Sequence, residues 1–158
     1  MQHDVPRIAS QFRIEGRFLD ARPYGTGHIN DTYASRFRNG AGEARYIHQR
    51  INHHVFRRPE QLMENVRRVT EHLRRKVQAD GGDPDRECLT LIPTVDDEAC
   101  WRDEEGNYWR TYAFIEGART YDVVEDVTHV YHAARAFARF QQRLSDLPGP
   151  RLHETIPY

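Results

Sequence analysis

The sequence predicts an α+β fold, a five-stranded antiparallel sheet with one long helix inserted after the third strand. Three observations carry that reading. Runs rich in β-branched and aromatic residues are separated by hairpin punctuation, first around Gly25-Thr26-Gly27 and then at Asn39-Gly40-Ala41-Gly42. Apolar residues then recur at helical spacing from Pro59 to Gln78. Strand and hairpin signals resume after that helix, around Glu105-Gly106-Asn107.

In chain order, Val5 to Phe12 suits a brief helix, with Pro6 early and Ile8 and Phe12 four apart, packed on the sheet. Phe18 to Arg22, Thr32 to Arg38 and Arg45 to Ile51 read as the first three strands. Period-2 alternation in the third places Ile47, Gln49 and Ile51 on one face and His48 and Arg50 on the other. The helix from Pro59 to Gln78 carries Leu62, Val66, Val69, Leu73 and Val77 as its apolar stripe, and Gly81-Gly82 ends it. Its other face is rich in arginine, offset by Glu60, Glu64 and Glu71, and reads as a solvated face. Leu89 to Pro93 reads as the fourth strand, and a hairpin of Ala99 to Arg102 with Tyr108 to Phe114 supplies the fifth. A second helix runs from about Val127 to Leu144, with Val130, Ala133, Ala134, Phe137, Phe140 and Leu144 on one side, and Ser145-Asp146-Leu147-Pro148-Gly149-Pro150 stops that helix.

Composition narrows the function classes. The 158 residues are 38% hydrophobic, enough for a modest core, and 30% charged with a net charge of −1. That balance argues for neither a nucleic-acid nor an anionic-membrane partner. Cys88 and Cys100 do not make a disulfide framework, and no apolar run reaches signal-peptide or transmembrane length, so a cytoplasmic protein with free thiols is expected. The 23 basic residues comprise one lysine, Lys76, and otherwise arginine, so a cation needed elsewhere is Arg or His. Adjacent His53 and His54 project apart, and His129 and His132 lack a completing carboxylate or cysteine, so no metal site is expected.

The residues that invite a chemical reading are in Gly25-Thr26-Gly27-His28-Ile29-Asn30. Two glycines a residue apart let backbone N–H groups approach a phosphate, and Asn30 stands where a third glycine would complete a Gly-x-Gly-x-x-Gly spacing. Asn tolerates positive φ better than most residues. The plain alternative is a hairpin turn. Arg50 points either toward phosphates held by that turn or toward solvent.

Several phrases together are more specific: Gly25 to Tyr33 (GTGHINDTY), Gln49 to Asn52 (QRIN), Pro59 to Asn65 (PEQLMEN), Tyr112 to Gly117 (YAFIEG) and Leu144 to Ile156 (LSDLPGPRLHETI). In these the chain resembles the N-terminal lobe of the kinase-like phosphotransferases, the superfamily of aminoglycoside phosphotransferases, choline kinases and homoserine kinases, and is most similar to the N-acetylhexosamine 1-kinase group. The resemblance implies a nucleotide-binding lobe over residues 1–117 and, over 118–158, a linker with the start of a C-terminal lobe. It implies that Gly25, Thr26, Gly27, His28 and Asn30 form the loop over the ATP phosphates. Arg50 would replace the usual third-strand lysine, oriented by Glu64. Tyr112, Ala113 and Ile115 would form the hinge, with Ala113 C=O and Ile115 N–H toward adenine. The implied cofactors are ATP and Mg²⁺, and the implied reaction is transfer of the γ-phosphate to a sugar hydroxyl.

Two features depart from that pattern. Arginine holds phosphate differently from lysine and does not lose its charge. The family's catalytic His-x-Asp is absent from the sequence, and Asp122 and Asp126 do not match it. The expectation is therefore a kinase without its catalytic half: no catalytic residue or Mg²⁺ ligand in this chain, and a sugar acceptor bound only with a further lobe. The alternative is a binding or regulatory module that keeps the lobe alone. The apolar side of the 127–144 helix adds an expectation of self-association, as a two-fold dimer.

Overall fold

A computed structural model describes residues 3–119, 121, 123–124 and 126–156. Asp122, Glu125 and Tyr158 lie outside the described residues.

The first helix, α1 (Val5–Ala9), starts where the Asp4 carboxylate accepts the Arg7 N–H, an ordinary N-cap. β1 (Arg17–Pro23), β2 (Asp31–Asn39) and β3 (Gly42–Ile51) form an antiparallel meander. Each strand outruns its sequence expectation at one or both ends: β2 and β3 pair right up to the tight Asn39–Gly42 turn, and β1 gains Arg17 and Pro23 by pairing them with Arg38 and Tyr33 of β2. Gly16 at the entry of β1 is required: with φ +106° it passes so close to the end of β2 that a Cβ would lie 2.5 Å from the Arg38 carbonyl oxygen.

After α2 (Pro59–Ala79) comes a turn of helix that the sequence reading did not contain, α3 (Pro84–Glu87), capped by Asp83. Two-residue strands β4 (Leu91–Ile92) and β5 (Trp101–Arg102) precede β6 (Tyr108–Ala113). The sheet thus has six strands rather than five, in the order β1-β2-β3-β6-β4, with β5 also pairing β6. The expected strand over Leu89–Pro93 shrinks to two residues: Cys88 closes α3 through its N–H to the Pro84 carbonyl, and Arg13 N–H takes the Pro93 carbonyl. The last helix, α4 (Val127–Leu144), matches its expected span, with Asp126 as N-cap to Thr128 N–H.

Register assigns the two faces. Asp31, Arg50 and Trp109 share one face with Tyr33, His48 and Thr111; Thr32, Gln49 and Arg110 share the other with Ala34, Ile47 and Tyr112. The first face is covered by α1: Ile8, Phe12 and fully buried Trp109 form its core, with Ile14, Tyr33, Ile92 and Trp101 packed around them. The second face meets α2, where Arg110 reaches Met63 and the Tyr108 hydroxyl donates to Glu60 at 2.6 Å.

The α2 stripe is rotated from the expected one. Pro59, Met63, Thr70, His72, Leu73 and Val77 are its buried residues, whereas Leu62, Val66 and Val69 are half-buried. The reason is a second covering surface. His72 Nε2 lies 2.9 Å from the Arg143 carbonyl and 3.1 Å from Asp146, Lys76 pairs with Asp146, and Arg143 reaches Asp80 and Glu87. The arginine-rich face is solvated in part: Arg57, Arg58 and Arg75 are exposed, but the others are engaged. Arg67 holds Glu71 and Asp97, Arg74 holds Asp85, and Arg68 donates to the Pro148 and Pro150 carbonyls.

Candidate functional site

The Gly turn from Tyr24 to Ile29 is exposed, and neither Gly25 nor Gly27 has a heavy atom within 4 Å of where a Cβ would stand. Gly25 has φ +83° and so occupies the left-handed region; Gly27 does not. Asn30 does not use positive φ either. Its Oδ1 accepts the Asn52 N–H at 2.9 Å, which ties the end of the turn to the end of β3. Thr26 and His28 are exposed on the turn between these two fixed points.

The far end of β6 comes back to the same turn. The Tyr24 and Phe114 rings meet edge-on, centroids 5.4 Å apart, and the Arg45 guanidinium lies over the same Phe114 ring, 3.7 Å from its centroid. Arg45 is held in place by the Glu116 carboxylate, whose pKa it lowers. Two phrases remote in sequence, the Gly turn and Tyr112–Gly117, are thereby brought together. Within the second, Tyr112 is buried and its hydroxyl pKa is raised by that burial. Ala113 N–H is already bonded to the Thr90 carbonyl, while Ile115 N–H makes no hydrogen bond among the described residues.

Arg50 and Glu64 are not brought together. Arg50 extends on the α1 face, where Nε donates to Asp31 Oδ2 at 2.6 Å and Nη1 to Asn107 Oδ1 at 3.3 Å. Burial works to raise the Asp31 pKa, but the Arg50 hydrogen bond and charge, with a smaller part from His3, hold it below the ordinary carboxylate value. Glu64 is on α2, beyond the opposite face, and accepts from His153 Nε2 at 2.7 Å. The orienting pair expected of these residues fails for a topological reason: position 50 has the wrong parity to face α2. Arg50 is not turned to solvent either. It lines an open cavity of about 950 Å³, whose wall also carries Asp31, Asp103, Glu104 and Glu105. Asp103 is desolvated, yet bonds from Trp109 Nε1–H and Asn107 keep its pKa low. Those carboxylates make the cavity a poor seat for an anion.

The α2 face holds what the sequence reading passed over. Arg110 donates through Nε and Nη2 to Gln49 Oε1, at 2.9 and 2.6 Å, and Gln49 Nε2 donates to Thr32 Oγ1 at 2.9 Å. The period-2 pattern of β6 already separates Arg110 from Trp109, but nothing local says that Gln49 and Thr32 lie beside it. Cys100, half-buried nearby, has its thiol pushed up to about 11, first by burial and then by Glu60 and Glu98, so it is no nucleophile at neutral pH. Both cysteines are free. Among the described residues no three His, Cys, Asp or Glu side chains come together as a metal site, so no protein ligand is assigned to Mg²⁺. Nor is any described helix long and apolar enough to cross a membrane.

The segment after α4 is fixed along α2. Asn65 donates through Nδ2 to the His153 carbonyl and accepts the His153 N–H at Oδ1, at 2.9 and 3.0 Å. Asn65→Ala removes both bonds. It is expected to cost roughly 1–2 kcal/mol and to raise amide exchange at His153 before exchange in the sheet rises. Unchanged exchange at His153 would show that the remaining contacts, Glu64 and Arg68, hold the segment without it.

No protein-family model matches the sequence.

Proposed function

We propose that this chain binds ATP, with Mg²⁺ carried by the phosphates, in the manner of the kinase-like N-terminal lobes that its sequence resembles, and that it serves as the nucleotide-binding part of a small-molecule kinase of the N-acetylhexosamine type. The observation that carries the reading is the Tyr24–Phe114 contact. It makes one site of the two phrases to which the resemblance gives phosphate and adenine contacts. The exposed Gly25–His28 turn, its Asn30 anchor and the free Ile115 N–H are the parts such a ligand needs. The transfer step is left out of the proposal, because no His-x-Asp occurs in the sequence.

Titration calorimetry of the purified chain with Mg·ATP is expected to show saturable binding and no phosphate transfer to N-acetylhexosamines. Absence of binding at millimolar nucleotide overturns the reading; turnover by this chain overturns the part that assigns it binding alone. A second reading, a regulatory module that has kept the lobe and binds nucleotide without any catalytic partner, is favoured by the same missing motif. It differs in predicting that no chain carrying a His-x-Asp restores transfer when added. An independent observation, the uncovered side of α4, supports the further proposal that a second copy packs there.

A further inference from the structure

We infer that Arg110 is the cation of an anion site on the α2 face of the sheet, and that the anion it takes is the phosphate chain of a nucleotide. The choice of nucleotide rests on the proposed function; the anion site itself stands on the geometry around Arg110.

Every other half-buried arginine among the described residues has either a carboxylate or, in Arg68, a pair of carbonyl oxygens. Arg110 has neither. Its partners are all neutral: the Gln49 amide oxygen, the Met63 sulfur, 3.8 Å from Nη1 and a weak acceptor, and the Tyr112 ring, 5.4 Å from the guanidinium carbon. Of the α2 carboxylates, Glu60 accepts from the Tyr108 hydroxyl and Glu64 from His153, and neither bonds Arg110. A partly desolvated guanidinium without counter-charge is costly to keep, and an arriving anion removes that cost. Its planar fork also suits two phosphate oxygens at once.

Thr32, Gln49 and Arg110 stand side by side on β2, β3 and β6, and the Thr32–Gln49–Arg110 hydrogen bonds run straight across the three strands. Thr32 lies two residues beyond Asn30, at the foot of the Gly turn. Tyr24 N–H bonds the Thr32 carbonyl on the other side. The line therefore joins the turn to the cation on one face of the sheet, whereas Arg50 sits on the reverse face, tied to Asp31 and among further carboxylates.

The test is calorimetry of the whole chain with two probes, inorganic tripolyphosphate and Mg·ATP, on the native sequence and on Arg110→Gln, Arg110→Lys and Arg75→Ala. Arg75 is exposed on α2. Both probes are expected to bind the native chain. Arg110→Gln should weaken both by about 10- to 100-fold, the scale of a charge-assisted hydrogen bond, Arg110→Lys by clearly less, and Arg75→Ala not at all. Native affinity in Arg110→Gln overturns the inference, as does an equal loss in Arg110→Lys, which would make the residue structural, or an equal loss in Arg75→Ala. If tripolyphosphate binds through Arg110 and ATP binds no better, the anion site stands and the nucleotide reading falls. If the native chain binds ATP but Arg110→Gln does not weaken it, the inference falls and the reading stands. A native chain that binds neither probe overturns both.

Discussion

Between pH 6.5 and pH 4 the chain is expected to lose about 3 kcal/mol of stability to a single side chain, His48. His48 is fully buried between β2 and β6, with Nε2 2.7 Å from Ser35 Oγ and Nδ1 2.9 Å from Thr111 Oγ1. Phe12 lies beyond its ring, and no carboxylate bonds it. Burial depresses its pKa from 6.5 to about 4. A neutral imidazole satisfies both hydroxyls by donating to one and accepting from the other, so the folded chain has no use for the second proton. The unfolded chain takes that proton up below pH 6.5. Stability from this group is therefore fully present above pH 6.5 and declines until the folded pKa near 4 is reached. Urea unfolding of the native chain and of His48→Gln, which keeps a donor and an acceptor but does not titrate, isolates the effect. The slope of stability against pH from 6.5 to 4.5 should be shallower in His48→Gln; the carboxylates lowered by their partners, such as Asp31 and Asp103, act on both chains and mostly below that window. Parallel slopes would mean that His48 is solvated on the timescale of the measurement.

His48 also shows how far the sequence reaches. Alternation along β3 puts His48 and Arg50 on one face and Gln49 between Ile47 and Ile51 on the other, and the structure agrees. What alternation does not contain is the destination of each face. That is set by where the chain goes after β3, and α2 returns to the Gln49 side. By parity Arg50 faces away from α2, and the cation that does face α2, Arg110, comes from β6, far along the chain, joined to Gln49 only by register.

Elements bounded by local chemistry are legible. Pro59 opens α2, Gly81 with φ +75° and the Gly82 N–H to Val77 carbonyl bond close it, and Asp126 starts α4. Two-residue strands such as Leu91–Ile92 and Trp101–Arg102 are too short to carry a period, and they exist because β6 offers them an edge. The α2 stripe is legible as a helix but not in its orientation. His72 is buried because the end of α4 and the turn after it cover a second side, while Thr70 faces Leu91, Pro93 and Ala99, both long-range facts that no helical wheel holds. At the candidate site the Gly turn and the Tyr112–Gly117 phrase were legible separately. Their meeting through Tyr24 and Phe114 was not, and neither was the neutrality of the groups around Arg110.

Phe137→Glu is expected to dissociate a dimer of this chain and, at protein concentrations low enough for both chains to be monomeric, to leave the unfolding midpoint where it was. α4 has no buried residue among those described: Val127, Val130, Phe137 and Phe140 are 82%, 53%, 63% and 41% exposed. Helical spacing gathers Val130, Ala133, Ala134 and Phe137 on one side, and the Phe137 and Phe140 rings stack at 6.4 Å. The helix is held to the body from another side, where Phe140 and Ala136 face Leu73 and Val77 and where Arg143 reaches Asp80 and Glu87. Phe137 thus contributes little to folding, and a charge there stays in water. In a two-fold pair packed along the apolar side, each substitution counts twice, so removing both Phe137 rings costs the dimer about 3–6 kcal/mol, more than a hundredfold in dissociation constant. Arg135 and Arg139 fall on the reverse side of the helix and do not confront each other in such a pair. Light scattering at ~100 µM, where an association on the order of 8 kcal/mol is saturated, should show a dimer for the native chain and a monomer for Phe137→Glu. A native monomer at that concentration removes the proposed second copy. Unfolding of Phe137→Glu would instead mean that the ring is part of the chain's own core, contrary to its exposure here.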